Sequence, residues 1–137
     1  MRFVDASVFV HAFIKPKREL KTHEIEIKKN AKNIVKRINE GEKVGITVVQ
    51  LAEISNILES HLQLKDALRV MKFLVTARNV KVFDVTRKDC IEAIKTAEEN
   101  SIGFSDAIVY VIMKNTGIEE IYSFDSDFDR LTRRITE

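Results

Sequence analysis

Short apolar runs alternate along this chain with longer segments whose apolar residues recur every three or four positions. The short runs are typical of buried strands, and the longer segments are typical of amphipathic helices. Strands separated by helices favour right-handed crossovers and a mainly parallel sheet covered by helices. We therefore predict an α/β protein with three layers, α/β/α, around a central, mainly parallel sheet of four to five strands.

The predicted elements follow from this periodicity and from capping residues. The predicted strands are 2–4, 44–48, 80–85 and 120–124, with 133–137 as a candidate edge strand. The predicted helices are 6–14, 22–39, about 48–59, 64–76, 87–100 and 106–115, with a helical turn at 126–131. Thr47 and Gln50 match a capping box, and Ser105 is the predicted cap of the last long helix.

Length and composition limit the class of protein. At 137 residues the chain is predicted to form one domain, residues 1–137, with a core of its own. The single cysteine, Cys90, excludes an internal disulfide and a cysteine-cluster metal site, so a cytoplasmic location is expected. No apolar run approaches the roughly 18 residues of a membrane span, so no membrane partner is expected. Four residues of helix 87–100 are predicted to face the core: Cys90, Ile91, Ile94 and Ala97.

Four carboxylates stand where predicted strands end or where helices begin. Asp5 and Asp125 end strands, whereas Glu53 and Asp106 lie in the first turns of helices. Ligands of open α/β sheets bind outside the carboxyl ends of the strands, so we expect all four at one rim. Each acid alone has a simpler interpretation as a turn residue, a surface position or a partner of a helix dipole. Four of them in matching positions favour a shared site.

A shared acidic site predicts bound cations. Carboxylates that are brought together cannot all stay ionised without compensation, and hard oxygen ligands suit Mg²⁺ or Mn²⁺. Such ions can activate a water and stabilise the leaving oxygen when a phosphodiester is hydrolysed. Charge is also uneven, with ten Lys/Arg against five Asp/Glu in 15–43, and five acids without Lys or Arg in 119–129. This pattern fits either a metal site that handles a polyanion or solvated helix faces without a ligand.

The ordered set of acidic motifs resembles the PIN domain family. In chain order the motifs are Asp5-Ala6-Ser7, Glu53, Ser105-Asp106-Ala107 and Ser123-Phe124-Asp125-Ser126-Asp127-Phe128. Each motif is short, but their order and spacing are fairly specific, and the likeness covers essentially the whole chain. In length the chain resembles the VapC-type toxin ribonucleases of VapBC toxin–antitoxin systems. The resemblance implies a PIN-like fold and a metal-dependent endoribonuclease.

The resemblance also implies roles for individual residues. The acidic set that binds metal and catalyses cleavage would be Asp5, Glu53, Asp106 and Asp125, with Mg²⁺ or Mn²⁺ as cofactor. Asp127 matches a position where the family sometimes has a further acid, which would assist a second ion. Ser7 and Ser123 match hydroxyl positions that orient the acids, although Ser123 replaces the commoner Thr, and Phe128 matches a core aromatic.

Partners are expected from the same resemblance. These are an RNA substrate, a second copy of the chain in a homodimer and an antitoxin protein. The candidates for contacts with the RNA backbone are Lys15, Lys17, Arg18 and Lys21, for which a solvated loop is the alternative. Four apolar residues are predicted to lie in the core, with a partner chain or antitoxin helix as the alternative: Phe9, Phe13, Ile14 and Leu20.

Two alternative classes, a silent binding module and a phosphatase or phosphotransferase of another α/β class, fit the sequence less well than a nuclease. A catalytically silent PIN-fold module that binds RNA or protein needs none of the four acids, so their presence favours the enzyme. A phosphatase of the haloacid-dehalogenase type needs a second Asp two residues after the first, where Ser7 stands. A P-loop enzyme needs a Gly-Lys-Ser/Thr motif, which this sequence lacks.

Overall fold

The computed structural model describes the whole chain, Met1–Glu137, as a five-stranded sheet between two layers of helices. The strands are β1 (Arg2–Val4), β2 (Val44–Thr47), β3 (Val80–Phe83), β4 (Glu120–Tyr122) and β5 (Arg133–Ile135). The helices are α1 (Ala6–Phe13), α2 (Thr22–Asn39), α3 (Val48–His61), α4 (Leu64–Thr76), α5 (Arg87–Asn100) and α6 (Phe104–Thr116). A 3₁₀ turn, Ser126–Arg130, joins β4 to β5. The predicted α/β class and its three layers are confirmed.

The sheet has the order β3-β2-β1-β4-β5, and every neighbouring pair is parallel. All five strands therefore end at the same edge. From β1 the chain builds outward through β2 and β3, and then returns to add β4 and β5 on the other side of β1. Such a reversal opens a crevice between the two strands at which it occurs, here β1 and β4.

The alternation of side chains along the strands divides the core between the two faces of the sheet. Phe3 and Ile121 pack into a cluster built mainly on α5 and α6, while Val4 and Tyr122 pack into a cluster built on α1 to α4. At the centre, Gly45 lies where a Cβ would be 2.9 Å from the ring of Phe83 and 3.2 Å from that of Phe3. A glycine there lets the two rings stack with their centroids 5.3 Å apart.

Two predictions about the second helical layer are wrong. α6 begins at Phe104 with Gly103 as its N-cap, so Ser105 lies inside the first turn and does not cap the helix. On α5, Ile91 and Ile94 are exposed, and Ala93 is the buried residue. The residues of α5 that pack against the cluster around α6 are the small ones, Cys90, Ala93 and Ala97, so the predictions for Cys90 and Ala97 agree with the structure.

The predicted core residues of the first helical layer are confirmed in part. Phe9 is buried, but Phe13 is 36% exposed because it stands at the end of α1, and Ile14 and Leu20 are only half-buried in the loop that follows. No helix of the protein is both long enough and apolar enough to cross a lipid bilayer.

Candidate functional site

Asp5 lies at the end of β1, beside the crevice between β1 and β4. It is the N-cap of α1 and is only 4% exposed. Its Oδ2 accepts hydrogen bonds from Ser7 Oγ at 2.6 Å, from Ser123 Oγ at 2.9 Å and from the Ser7 backbone N–H at 3.4 Å. Burial raises the pKa of Asp5, and the hydrogen bonds from Ser7 and Ser123 partly offset this rise. The carboxylate is therefore held in one orientation by both strand ends.

The two serine hydroxyls connect Asp5 to the segment that follows β4. Ser7 Oγ accepts a hydrogen bond from the backbone N–H of Phe124 at 3.0 Å, and Ser123 Oγ accepts one from that of Asp125 at 3.0 Å. Each hydroxyl thus donates to Asp5 and accepts from the backbone leaving β4. The positions of Asp5 and Asp125 are coupled as a result.

Three carboxylates meet above this crevice. Asp106, Asp125 and Asp127 each offer an oxygen, and these oxygens all lie within 4.8 Å of one another. Asp106 comes from the first turn of α6, whereas Asp125 caps the 3₁₀ turn by accepting a bond from the Asp127 N–H at 2.9 Å. Closely spaced oxygen donors of this kind fit a hard divalent cation such as Mg²⁺ or Mn²⁺.

Repulsion within the acidic set is concentrated on Asp106. Its pKa is raised to about 7, first by burial and then by four neighbouring carboxylates, which are Asp5, Asp125, Glu53 and Asp127. Near neutral pH a large fraction of Asp106 therefore holds a proton when no cation is bound. The negative potential that raises this pKa also attracts cations, so a proton and a metal ion would compete for Asp106.

Glu53 adds a further acid from α3. It is half-buried, and its pKa is raised by burial and by Asp5, an effect that the Ser105 hydroxyl partly offsets. Ser105 therefore acts beside Glu53, although it was predicted only as a helix cap. Asp5 and Glu53 lie outside the close group of three aspartates but influence it through their charge.

The start of α3 is tied to the end of β1. The predicted capping box is present: the Thr47 N–H donates to Gln50 Oε1 at 2.8 Å, and the Gln50 N–H donates to Thr47 Oγ1 at 3.1 Å. The buried Gln50 also donates through Nε2 to the carbonyl of Val4 at 2.8 Å. Because Val4 directly precedes Asp5, these bonds set the position of α3, and of Glu53, relative to the site.

Of the four basic residues predicted to contact the RNA backbone, two line a groove, one does not line it and one is paired with an acid. Lys15 and Lys17 are exposed and line a groove of about 770 Å³ between α1, α2 and the end of α3, whereas Lys21 does not line it. Arg18 forms a bidentate pair with Glu24, with N–O distances of 2.9 and 2.6 Å, which lowers the pKa of Glu24 to about 2. Arg18 is therefore engaged within the protein.

Sequence reasoning missed Arg134 on β5. Its Nε and Nη2 donate to the two carboxylate oxygens of Asp129 at 2.8 and 3.0 Å, and its Nη1 donates to the carbonyl of Ser123 at 3.4 Å. The signal was present as an arginine in a predicted edge strand, five residues after the last of three alternating acids.

A parallel α/β/α sandwich with carboxylates at the carboxyl ends of its central strands defines the general class of this protein. The PIN domain family model matches residues 2–134, and the chain belongs to the PIN domain family. No curated protein matches the chain by sequence.

Solved structures share this fold across nearly the whole chain. VapC20 of Mycobacterium tuberculosis, a sarcin-ricin loop cleaving toxin, is 20% identical with a TM-score of 0.72, covering 95% of this chain and 94% of that one. A toxin–antitoxin complex from Klebsiella pneumoniae gives 11% identity, a TM-score of 0.68 and coverage of 99% and 97%. VapBC2 of Rickettsia felis, bound to a promoter DNA fragment, gives 12% identity, a TM-score of 0.64 and coverage of 98% of this chain and 96% of that one.

Proposed function

We propose that residues 1–137 form a single PIN-like domain that hydrolyses RNA phosphodiesters as a metal-dependent endoribonuclease. The observation that carries this proposal is the group of Asp106, Asp125 and Asp127, whose oxygens lie within 4.8 Å of one another. Membership of the PIN domain family and the fold shared with a sarcin-ricin loop cleaving toxin support it.

The proposed cofactor is Mg²⁺ or Mn²⁺. Asp106, Asp125 and Asp127 would hold the ion, with Asp5 and Glu53 adding negative charge and further oxygen donors. A bound ion of this type supplies a Lewis acid that activates water and offsets the charge that develops on a phosphate. The donor set consists of carboxylates without Cys or His, which fits a hard cation and disfavours a soft one.

The protein's own residues prepare the site in three ways. Ser7 and Ser123 orient Asp5 by donating to its Oδ2. Asp125 fixes its carboxylate by accepting from the Asp127 N–H. Asp106 holds a proton near neutral pH and releases it when a cation offsets the surrounding negative charge. Acid should therefore compete with metal binding.

The RNA backbone is proposed to run from the acids toward the basic loop. The ring of His11 lies in edge contact with that of Phe124, 5.4 Å between centroids, and His11 also lines the groove that contains Lys15 and Lys17. His11 therefore lies between this groove and the segment that carries Asp125. Lys15 and Lys17 are the proposed backbone contacts, and Arg18 and Lys21 are not.

Biological role and assembly are part of the same proposal. Toxin–antitoxin complexes among the similar structures support a role as the toxin of such a pair, with an antitoxin protein as partner. A homodimer and a cytoplasmic location are proposed from the family resemblance. Sedimentation velocity of the isolated chain tests the dimer directly.

The test of function is cleavage of a panel of labelled RNAs by wild type, Asp5→Asn and Asp84→Asn. Asp84 is an exposed carboxylate after β3 and serves as the matched control. We expect cleavage that requires Mg²⁺ or Mn²⁺, is lost in Asp5→Asn and is kept in Asp84→Asn. Cleavage that survives chelation or the Asp5 variant would contradict the proposal. Metal binding without cleavage of any RNA would favour the silent binding module.

A further inference from the structure

We propose that Arg134 is a positioning residue that fixes the 3₁₀ turn, so that Asp125 and Asp127 face Asp106 while Asp129 is kept away from the metal. The inference rests on the proposed function, because it concerns the same metal site. It goes beyond that function by assigning a role to an arginine on β5 and to a third acid of the turn.

The contacts of Arg134 join three separate parts of the chain. The guanidinium forms a two-pronged bond with Asp129 in the turn, and its remaining amino group reaches the carbonyl of Ser123 at the end of β4. Its own backbone belongs to β5, where it is paired with Ile121 of β4. The side chain of Arg134 is 21% exposed, so the bonds form in a partly desolvated place. The turn is thus held between two strands.

The spacing of the acids explains why such a restraint is needed. Asp125, Asp127 and Asp129 alternate within one short turn, and only the first two belong to the close group with Asp106. Asp129 is 53% exposed and would be a competing carboxylate if it were free. Both of its oxygens are instead bonded to Arg134.

Two features of the same turn offer a rival explanation. Phe128 is fully buried, and its carbonyl accepts hydrogen bonds from the backbone N–H groups of Leu131 and Thr132, both at 3.0 Å. These contacts anchor the middle and the end of the turn. If they alone set its geometry, changing Arg134 will leave the metal site unaffected.

Arg134→Lys separates the two explanations. Lysine keeps the positive charge, so long-range attraction or repulsion of the metal is unchanged, but it cannot bond both oxygens of Asp129 in a fork. The matched control is Arg133→Lys. Arg133 neighbours Arg134 on β5 and is 76% exposed. It pairs with Glu120 at the start of β4, whereas Arg134 reaches Ser123 just after the end of β4.

The first measurement is Mn²⁺ affinity by calorimetry, since it needs no substrate. We expect Arg134→Lys to bind Mn²⁺ about 10-fold more weakly, as is common for outer-shell partners of metal ligands, and Arg133→Lys to bind like wild type. In the double variant Asp129→Arg/Arg134→Asp the two side chains exchange places. This variant should recover most of the lost Mn²⁺ affinity, because the two-pronged bond can re-form.

A second measurement does not depend on metal. Amide hydrogen exchange of the metal-free protein should be faster at residues 125–130 in Arg134→Lys, with β1 and α6 unchanged. Mn²⁺ affinity equal to wild type, exchange rates equal to wild type, or failure of the exchanged pair to recover affinity would each overturn the proposal. If wild type binds Mn²⁺ but cleaves no RNA, the nuclease function fails and the positioning role stands.

Discussion

Removing the charge of Asp106 is expected to stabilise the metal-free protein while it abolishes tight binding of the metal. Asp106→Asn keeps the size and shape of the side chain but removes the ion that four neighbouring carboxylates repel. Asp106, a residue proposed to bind the metal, would in this way lower the stability of the metal-free protein. Such a trade-off is common where a site is built from strained or repelling groups.

The magnitude follows from the pKa of about 7 against the ordinary value of 3.8. That difference corresponds to at most about 4 kcal/mol of unfavourable free energy for ionised Asp106. Asp106 is only half-buried, and solvent screening reduces the figure to about 1–2 kcal/mol. Losing a negative charge in the first turn of α6 costs about 0.5 kcal/mol in the other direction. Repulsion is the larger effect, so the variant should gain stability.

The sign of the pH dependence follows from the raised pKa. Because the folded pKa exceeds the unfolded one, the stability that protonated Asp106 contributes is fully present below about pH 4 and is lost as pH rises through about 7. The advantage of Asp106→Asn should therefore be large at pH 8 and small near pH 4.

Urea unfolding in the presence of a chelator measures this effect. Wild type, Asp106→Asn and the exposed control Asp84→Asn would be compared at both pH values. Equal or lower stability of Asp106→Asn at pH 8, or a gap that does not shrink on acidification, would refute the reasoning. The control should show neither effect.

Further predictions follow from contacts elsewhere. Ser123→Ala removes two hydrogen bonds, including the buried one to the Asp5 carboxylate, and should lower the unfolding free energy by about 1.5–3 kcal/mol in urea titrations and weaken Mn²⁺ binding. Gly45→Ala places a methyl group 2.9 Å from Phe83 and should cost about 1–3 kcal/mol in the same titration. Lys17→Met should lower the salt dependence of RNA binding by somewhat less than one unit of log–log slope. The increase in melting temperature on adding Mn²⁺ should be larger at pH 8 than at pH 5.5, because protons compete for the acidic group.

Much of the fold could be predicted because local signals agreed with one another. The capping box of Thr47 and Gln50 marked the start of α3 correctly, and the alternation of apolar runs and helices gave the parallel sheet. The start of α6 was misjudged, because Gly103 caps it through its backbone conformation and Ser105, a good capping residue, stands two positions later. Composition identifies capping residues but not which one the backbone uses.

The acids could be predicted as a set, but their arrangement could not. Because parallel strands end at one edge of a sheet, the sequence alone predicts that Asp5 and Asp125 lie near each other. The sequence did not reveal that Asp106, Asp125 and Asp127 form the close group, or that the Oδ2 of Asp5 accepts hydrogen bonds from two serine hydroxyls. Those facts depend on side-chain directions set by tertiary contacts. The contact of Arg134 could not be predicted for the same reason, because its partner Asp129 lies in a different element.

The topology gives a reason for placing repelling charges at the junction of β1 and β4. Chain reversal opens a crevice there, and the hydroxyls of Ser7 and Ser123 bridge it by bonding Asp5 on one side and the backbone leaving β4 on the other. The bridge keeps the acids close although their charges oppose it, and the cost falls on Asp106. A cation that enters removes this cost, so its binding energy adds to the stability of the fold. When Asp106 is neutralised, metal affinity should therefore fall while the stability of the metal-free protein rises.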